Sequence, residues 1–67
     1  MGVKRHIYQE TTEWTDGTRN GVYIFDAKPQ GRTAKCVAFL PHGETKVKIF
    51  KSPLVLDLKG RTFQEVR

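Results

Sequence analysis

Apolar and polar residues alternate along most of this chain with a period of two, which is the period of a half-buried β-strand. The clearest case is residues 45–51, "TKVKIFK", where Val47 and Ile49 alternate with lysines. No segment has an apolar stripe with the 3.6-residue period of a helix. The alternation predicts strands over residues 4–12, 22–27, 33–40, 45–51, 54–57 and 62–66.

Turn sequences separate these segments. "KPQG" (28–31) and "LPHG" (40–43) both place Pro second and Gly fourth, and "DLKG" (57–60) places Asp first and Gly fourth. These residues suit a type I turn that ends in a glycine with positive φ. Pro53 cannot donate to a β-ladder and marks an edge or a bulge. The two segments on either side of it therefore form either two strands or one bent strand.

Short strands separated by turns indicate an all-β fold. We expect five or six antiparallel strands in a meander, closed or half-closed as a small barrel that spans residues 1–67 as one domain. The length, basic charge and strand pattern resemble those of SH3-like and OB-like barrels. The resemblance concerns architecture alone, because the sequence carries no family motif, and fold does not define function.

The alternation also predicts which side chains face the core. In the third strand, Ala34, Cys36 and Ala38 share one face, so Cys36 is expected to be a small buried apolar residue rather than a nucleophile. The same reasoning applied to each strand gives a full set of core positions. The predicted core comprises Ile7, Val22, Ile24, Ala34, Cys36, Ala38, Val47, Ile49, Leu54, Leu56 and Phe63.

The length of 67 residues limits the core, since a chain of this size buries only about 60% of its unfolded surface. One hydrophobic cluster fits, whereas a deep catalytic cleft does not, and this argues against an enzyme. One cysteine with two histidines, His6 and His42, does not make a usual zinc site, so no metal or cofactor is predicted. The absence of a secretory signal or a membrane-length apolar run predicts a cytoplasmic protein without a membrane partner.

Charge adds a candidate function. The net charge is +5, and residues 27–51 hold six lysines and arginines against Glu44 alone. This asymmetry favours an anionic partner. On the predicted register, lysines and aromatic rings share one exposed sheet face, where lysines neutralise phosphates and rings stack on bases. The sequence thus predicts a binding module for single-stranded nucleic acid that uses Lys35, Lys46, Lys48, Lys51, Tyr23, Phe25, Phe39 and Phe50.

Other interpretations of these residues stay open. The lysines can be the solvated face of a strand that is protected from edge-to-edge aggregation. They can also dock on an acidic protein, which would make the chain a small interaction module or an accessory subunit. Glu10, Glu13 and Asp16 are interpreted as a solvated acidic loop. Trp14 either caps one end of the barrel or serves as an exposed anchor for a partner.

Overall fold

The computed structural model describes residues 6–29 and 31–66, which form one antiparallel sheet. The described residues contain no helix, and hence none that could span a membrane. The prediction of an all-β fold with five antiparallel strands is confirmed. Residues 4 and 5 of the first predicted strand lie outside the described residues. The strands are β1 (His6–Glu10), β2 (Val22–Phe25), β3 (Thr33–Leu40), β4 (Lys48–Asp57) and β5 (Phe63–Glu65).

The sheet is an open, curled form of the predicted barrel. Strands β1 to β4 follow one another as antiparallel neighbours, and β5 returns to pair with the free side of β1. The order across the sheet is therefore β4-β3-β2-β1-β5. Strands β4 and β5 form the two edges, and no backbone ladder joins them to close the sheet.

Two of the predicted turns have the expected glycine with positive φ, but their hydrogen bonds close over residues 41–44 and 58–61, one residue later than predicted. Gly43 has a φ of 79° and Gly60 a φ of 74°, both in the left-handed region that glycine enters without steric penalty. The Glu44 N–H donates to the Pro41 carbonyl at 3.1 Å, and the Arg61 N–H donates to the Leu58 carbonyl at 3.0 Å. In the turn over residues 28–31, Gly31 also has positive φ, and Gln30 lies outside the described residues.

Strand β4 is one bent strand that runs through Pro53. Its partners in β3 change register, because Ala38 lies opposite Ile49 whereas Cys36 lies opposite Leu54. Residues 50–53 consequently face Val37 alone. Such a bulge bends a strand and increases its twist, and it explains why one continuous strand looked like two segments in the sequence.

The core is an aromatic cluster on the concave side of the sheet. Its buried members include Tyr8 and Phe25, whose ring centroids are 5.4 Å apart. Ala34 and Cys36 are buried in this cluster and confirm the predicted inward side chains in the first half of the third strand. Ala38 is buried as well, but a register shift at Val37 places it opposite Ile24 and Ile49 on the other face, and Phe39 packs against the cluster instead. Leu56 and Phe63 are half-buried against the cluster, as expected.

The predicted core was wrong for part of β4. Ile49 is 80% exposed, and Val47 and Leu54 are exposed as well. The inward side chains of β4 are the even-numbered Phe50 and Leu56, so Val47 and Ile49 belong to the other face, and Leu54 is exposed because β4 is an edge strand. Before the bulge, the half-buried Phe50 packs against the cluster in place of its neighbour Ile49.

The predicted side-chain orientation was also wrong in β1 and β2. Tyr23 and Phe25 pack with the cluster, so their neighbours Val22 and Ile24 point to the other face. In β1, Tyr8 is buried and Ile7 is only half-buried. The sequence of β2, "VYIF", is apolar on both faces, and the larger aromatic side chains gain more from burial.

Candidate docking surface on strand β4

The residues of the predicted nucleic-acid site separate into an inner and an outer group. Phe25 is 1% exposed, and the other three rings, those of Tyr23, Phe39 and Phe50, are half-buried against the same cluster. The Tyr23 ring centroid lies 4.6 Å from that of Phe39. These rings therefore stack on one another. The lysines remain on the outside, with all four of Lys35, Lys46, Lys48 and Lys51 exposed.

Exposed apolar side chains are concentrated on β4 and the residue just before it. Val55 is 62% exposed and Leu54 is half exposed, in addition to Val47 and Ile49 described above. Sequence analysis missed this feature because it assigned three of the four to the core. Leu54 lies opposite Cys36 on the core-facing side of this edge strand, whereas Ile49 lies opposite Ala38 on the other side. We call the following set, which covers both sides of the β4 edge, the β4 surface: Val47, Ile49, Leu54 and Val55 with Lys35, Lys46, Lys48 and Lys51.

An apolar row extends from the β4 surface across the outer face of the sheet. Ile49 lies opposite Ala38, Ala38 lies opposite Ile24, and Ile24 lies opposite Ile7. Directly opposed residues of neighbouring strands have adjacent side chains. The row therefore crosses four strands and ends at the most exposed apolar residue of β4.

The outer edge of β4 carries backbone groups that no strand of the described residues pairs with. The Leu58 N–H donates to the Arg32 carbonyl at 2.6 Å, and the Lys35 carbonyl accepts from the Asp26 N–H at 3.0 Å. Lys35 thus directs its carbonyl toward β2 and away from its β4 partner, Val55. Since the direction alternates along an antiparallel ladder, the N–H and C=O of Val55 and Asp57 point outward.

Charge on the β4 surface is uncompensated within the described part of the chain. The ion pairs of the described residues are Arg32–Asp57, with an N–O distance of 3.3 Å, and Arg61–Glu10, with an N–O distance of 2.8 Å. Neither involves a lysine of the β4 surface. Unpaired lysines beside apolar residues make this surface both positive and partly hydrophobic.

A recess of about 450 Å³ lies beside the second half of β4. Val55 and Lys35 form its side nearest the strand, and Lys28 and Asp26 come from the connection that leaves β2. Two lysines and one carboxylate give its wall a net positive charge. The recess is open to solvent and lies over β3, with Val55 at its border on β4.

A second polar cluster of the described residues surrounds the buried carboxylate of Glu10. Arg61 donates from Nε and Nη2 to the two Glu10 carboxylate oxygens, each at 2.8 Å, and from Nη2 to the Tyr23 hydroxyl at 2.9 Å. The guanidinium carbon lies 5.8 Å from the centroid of Trp14 and 5.4 Å from that of Phe63. We call these residues the Arg61 cluster.

Electrostatics keep both members of this ion pair charged. Burial raises the pKa of Glu10, but hydrogen bonds from Arg61 and Thr12 outweigh it and leave the pKa below its usual 4.5. The hydrogen bond with Glu10 raises the pKa of Arg61. The interpretation of Glu10 as part of a solvated acidic loop was wrong, whereas Glu13 and Asp16 are exposed as expected. The Arg61 cluster therefore stabilises the fold.

Trp14 is held in the Arg61 cluster by hydrogen bonds. Its indole N–H donates to the Asn20 side-chain oxygen at 2.6 Å, and Asn20 donates in turn to the Thr12 carbonyl at 2.9 Å. These bonds fold the loop of residues 11–21 over the Arg61 side chain. Of the two interpretations of Trp14, packing over one end of the sheet agrees with these contacts.

The cysteine of the described chain lies in the core. Cys36 is buried, its Sγ donates to the Ala38 carbonyl at 2.9 Å, and burial raises the pKa of its thiol. A buried thiol with a raised pKa is a weak nucleophile. Within residues 6–29 and 31–66, no three His, Cys, Asp or Glu side chains converge as metal ligands would.

The chain matches no protein-family model, no curated protein and no solved structure. Its function has to be inferred from the chemistry of its own surface. The β4 surface is the part of the described chain where exposed apolar groups, unpaired cations and free backbone groups coincide.

Proposed function

We propose that this protein is a small non-enzymatic interaction module that docks on an acidic protein partner in the cytoplasm through the β4 surface. The observation that carries the proposal is the 80% exposure of Ile49 on an edge strand. Long, exposed apolar edge strands promote aggregation unless they are covered or protected by charge. A partner that covers the β4 surface removes this apolar area from water.

The lysines of the β4 surface indicate the charge of that partner. Protein interfaces combine an apolar centre with a polar rim, and here Ile49 and Val55 would supply the centre and Lys46, Lys48 and Lys51 the rim. Complementary charges steer association and reject partners of the wrong sign. An acidic surface with some apolar residues therefore fits this arrangement.

Capture from a cell extract followed by titration tests the proposal. Wild type, Ile49→Ser and Val66→Ser are each used to capture proteins, and an acidic protein that wild type captures is then purified and titrated. Val66 is 46% exposed and follows the opposite edge strand, so its substitution controls for the loss of an exposed apolar side chain.

We expect Ile49→Ser to weaken binding of the purified acidic protein about tenfold or more, because truncating a central apolar anchor costs over 1.4 kcal/mol. Val66→Ser should bind as wild type does. An unchanged affinity for Ile49→Ser would contradict docking through the β4 surface.

A second candidate is the binding of single-stranded nucleic acid by the same lysines. It is favoured by the exposure of Lys46, Lys48 and Lys51, none of which is ion-paired within the described residues. Binding to an oligonucleotide should then weaken with salt, with a slope of log K against log salt of about −0.7 for each phosphate contacted. Replacing Lys46 and Lys48 by Gln should reduce the slope by one to two contacts, roughly.

Competition separates the two candidates. Heparin and unrelated DNA should displace nucleic acid from the lysines but leave a shape-specific protein interface largely intact. Phe39→Ala and Phe50→Ala are poor tests of base stacking, because both rings pack against the core cluster. We expect these two substitutions to lower the free energy of unfolding.

A further inference from the structure

We propose that residues 54–57 of β4 accept an extended acidic peptide as an additional strand, and that the recess beside Val55 binds a carboxylate side chain of that peptide. This inference rests on the proposed function, because it names the mode of docking and the chemistry of the partner segment. It concerns the second half of the β4 surface, beyond the bulge.

The backbone geometry supplies the first part of the argument. Val55 and Asp57 direct their N–H and C=O groups away from β3, as the bonds of Leu58 and Lys35 require. These groups repeat at every second residue, which is the spacing that strand addition uses. An incoming strand can therefore pair with both residues without moving β4.

The bulge sets one end of the pairing segment. Pro53 has no N–H to offer an incoming strand, and residues 50–53 are out of regular register with β3. At the other end, the Lys59 N–H donates to the Asp57 side chain at 3.0 Å as the chain turns. Residues 54–57 are the regular stretch between these two limits, which suits a short peptide rather than a long strand.

The recess supplies the second part. It lies over β3 and is bordered by Val55, one strand inward from the edge where the peptide would add, and its wall carries Lys28 and Lys35. Both lysines are exposed, and Asp26 supplies the single carboxylate of the lining. Alternate side chains of an added strand point to one face, so an acidic side chain of the peptide can reach these two amines.

Charge also argues against a second copy of this chain as the occupant. An antiparallel pair of β4 edges centred on Val55 would bring Lys51 of each copy toward Lys59 of the other. Like charges in opposed positions destabilise strand pairing. An acidic peptide removes this repulsion and gains attraction in its place.

A synthetic peptide tests the inference directly. The probe is a blocked heptapeptide that alternates Glu and Val, compared with a Lys and Val version and with a version whose backbone nitrogens are methylated at alternate residues. Amide hydrogen exchange is followed residue by residue. We expect the Glu and Val peptide to slow exchange at Val55 and Asp57 about fivefold or more, and the other two peptides to leave it unchanged.

Protein variants test the two parts separately. Val55→Pro removes the N–H that an added strand needs and should weaken the peptide about tenfold or more, whereas Val55→Thr keeps it and should bind. If Val55→Pro does not fold, the methylated peptide addresses the same question with the wild-type chain. Lys28→Gln with Lys35→Gln should weaken the peptide, and Lys59→Gln, an exposed lysine of the following turn, should not.

The outcomes distinguish this inference from the proposed function. If binding of the purified acidic partner requires Ile49 but the amides of Val55 and Asp57 stay unprotected from hydrogen exchange, the proposed docking stands and strand addition is overturned. Equal binding of the Lys and Val peptide would overturn the carboxylate site. If Ile49→Ser also has no effect on partner binding, the proposed function fails together with the inference.

Discussion

The Arg61 cluster and the β4 surface lie at opposite edges of one sheet. They differ in whether their polar groups are paired within the chain. In the Arg61 cluster, Glu10 is 2% exposed and both of its oxygens accept hydrogen bonds. Across the sheet, β4 leaves apolar side chains in water and backbone groups unpaired at its outer edge. Both β4 and β5 are edge strands, but the polar side chains of the Arg61 cluster are paired within the chain, whereas among the described residues the lysines of the β4 surface are not ion-paired.

This difference indicates what each edge contributes. A buried charge is tolerated only when its partner and hydrogen bonds are complete, so the Arg61 cluster serves the fold. A surface that keeps both apolar and cationic groups exposed gains nothing for folding, and large exposed apolar patches mark interaction sites. The following predictions test this division, from the largest expected effect to the smallest.

Arg61→Ala should cause the largest loss of stability. It leaves the Glu10 carboxylate buried without its partner, and breaking a buried pair in this way costs about 3–5 kcal/mol. Chemical denaturation measures the change. The matched control is Arg32→Ala, which removes the exposed ion pair with Asp57 and should cost within about 1 kcal/mol. Equal losses of stability in the two variants would mean that the Arg61–Glu10 pair contributes no more to the fold than an exposed ion pair does.

Acid should weaken the fold through the same ion pair. The folded-state pKa of Glu10 lies below the usual 4.5, so its contribution to stability is present above that value. The contribution is lost as the pH falls through the lower, folded-state pKa. Denaturation measured between pH 7 and pH 3, roughly, should show this decline in wild type and a flatter profile in Glu10→Gln. Glu13→Gln, at an exposed position, should retain the wild-type profile.

The rate at which Cys36 reacts with a thiol reagent should show that the core excludes solvent, in contrast to the exposed β4 edge. The thiol is 1% exposed and burial raises its pKa, so a thiol reagent should react with native protein at least about a hundredfold more slowly than with unfolded protein. Absorbance of a chromogenic reagent measures both rates. Similar rates would place the thiol at the surface and would require the opposite orientation of β3.

Ile49→Ser should have the smallest effect on folding. A side chain that is 80% exposed contributes little burial, and surface substitutions usually change stability by less than about 0.5 kcal/mol. The free energy of unfolding should therefore match that of wild type and of Val66→Ser. A loss comparable to that of Arg61→Ala would mean that Ile49 supports the fold, and would remove the basis for a docking surface.

Local sequence predicted the strands better than it predicted their faces. In β3 the small inward residues Ala34 and Cys36 alternate with Lys35, so the orientation was readable. In β2 both faces are apolar, and no local signal selects Tyr23 and Phe25 over Val22 and Ile24. In β4, Phe50 rather than Ile49 faces the core, and in β3 the register shift at Val37 turns Phe39 inward. A shift of one residue exchanges the two faces of a strand, which is why the predicted exposed rings pack inside.

The candidate sites were partly visible in the sequence. The lysines and the bend at Pro53 could be predicted from residue type alone. The Glu10–Arg61 pair could not, because the two residues are 51 positions apart and meet only when β5 reaches β1. The exposed apolar residues of β4 were hidden for a related reason. Valine and leucine are assigned to a core by default, and only the register of the whole sheet shows that these four lie outside.

The return of β5 to β1 also has a kinetic consequence. Pairing Tyr8 with Glu65 and Glu10 with Phe63 requires closing nearly the whole described chain into a loop, whereas the hairpins of β2, β3 and β4 need only short ones. Contacts between distant residues slow folding because the entropy of closing the loop between them is lost before the contacts can form. We expect the β2-β3-β4 meander to assemble before the last strand docks. During that interval the β4 edge proposed for docking is already present, and the opposite edge is still open to aggregation.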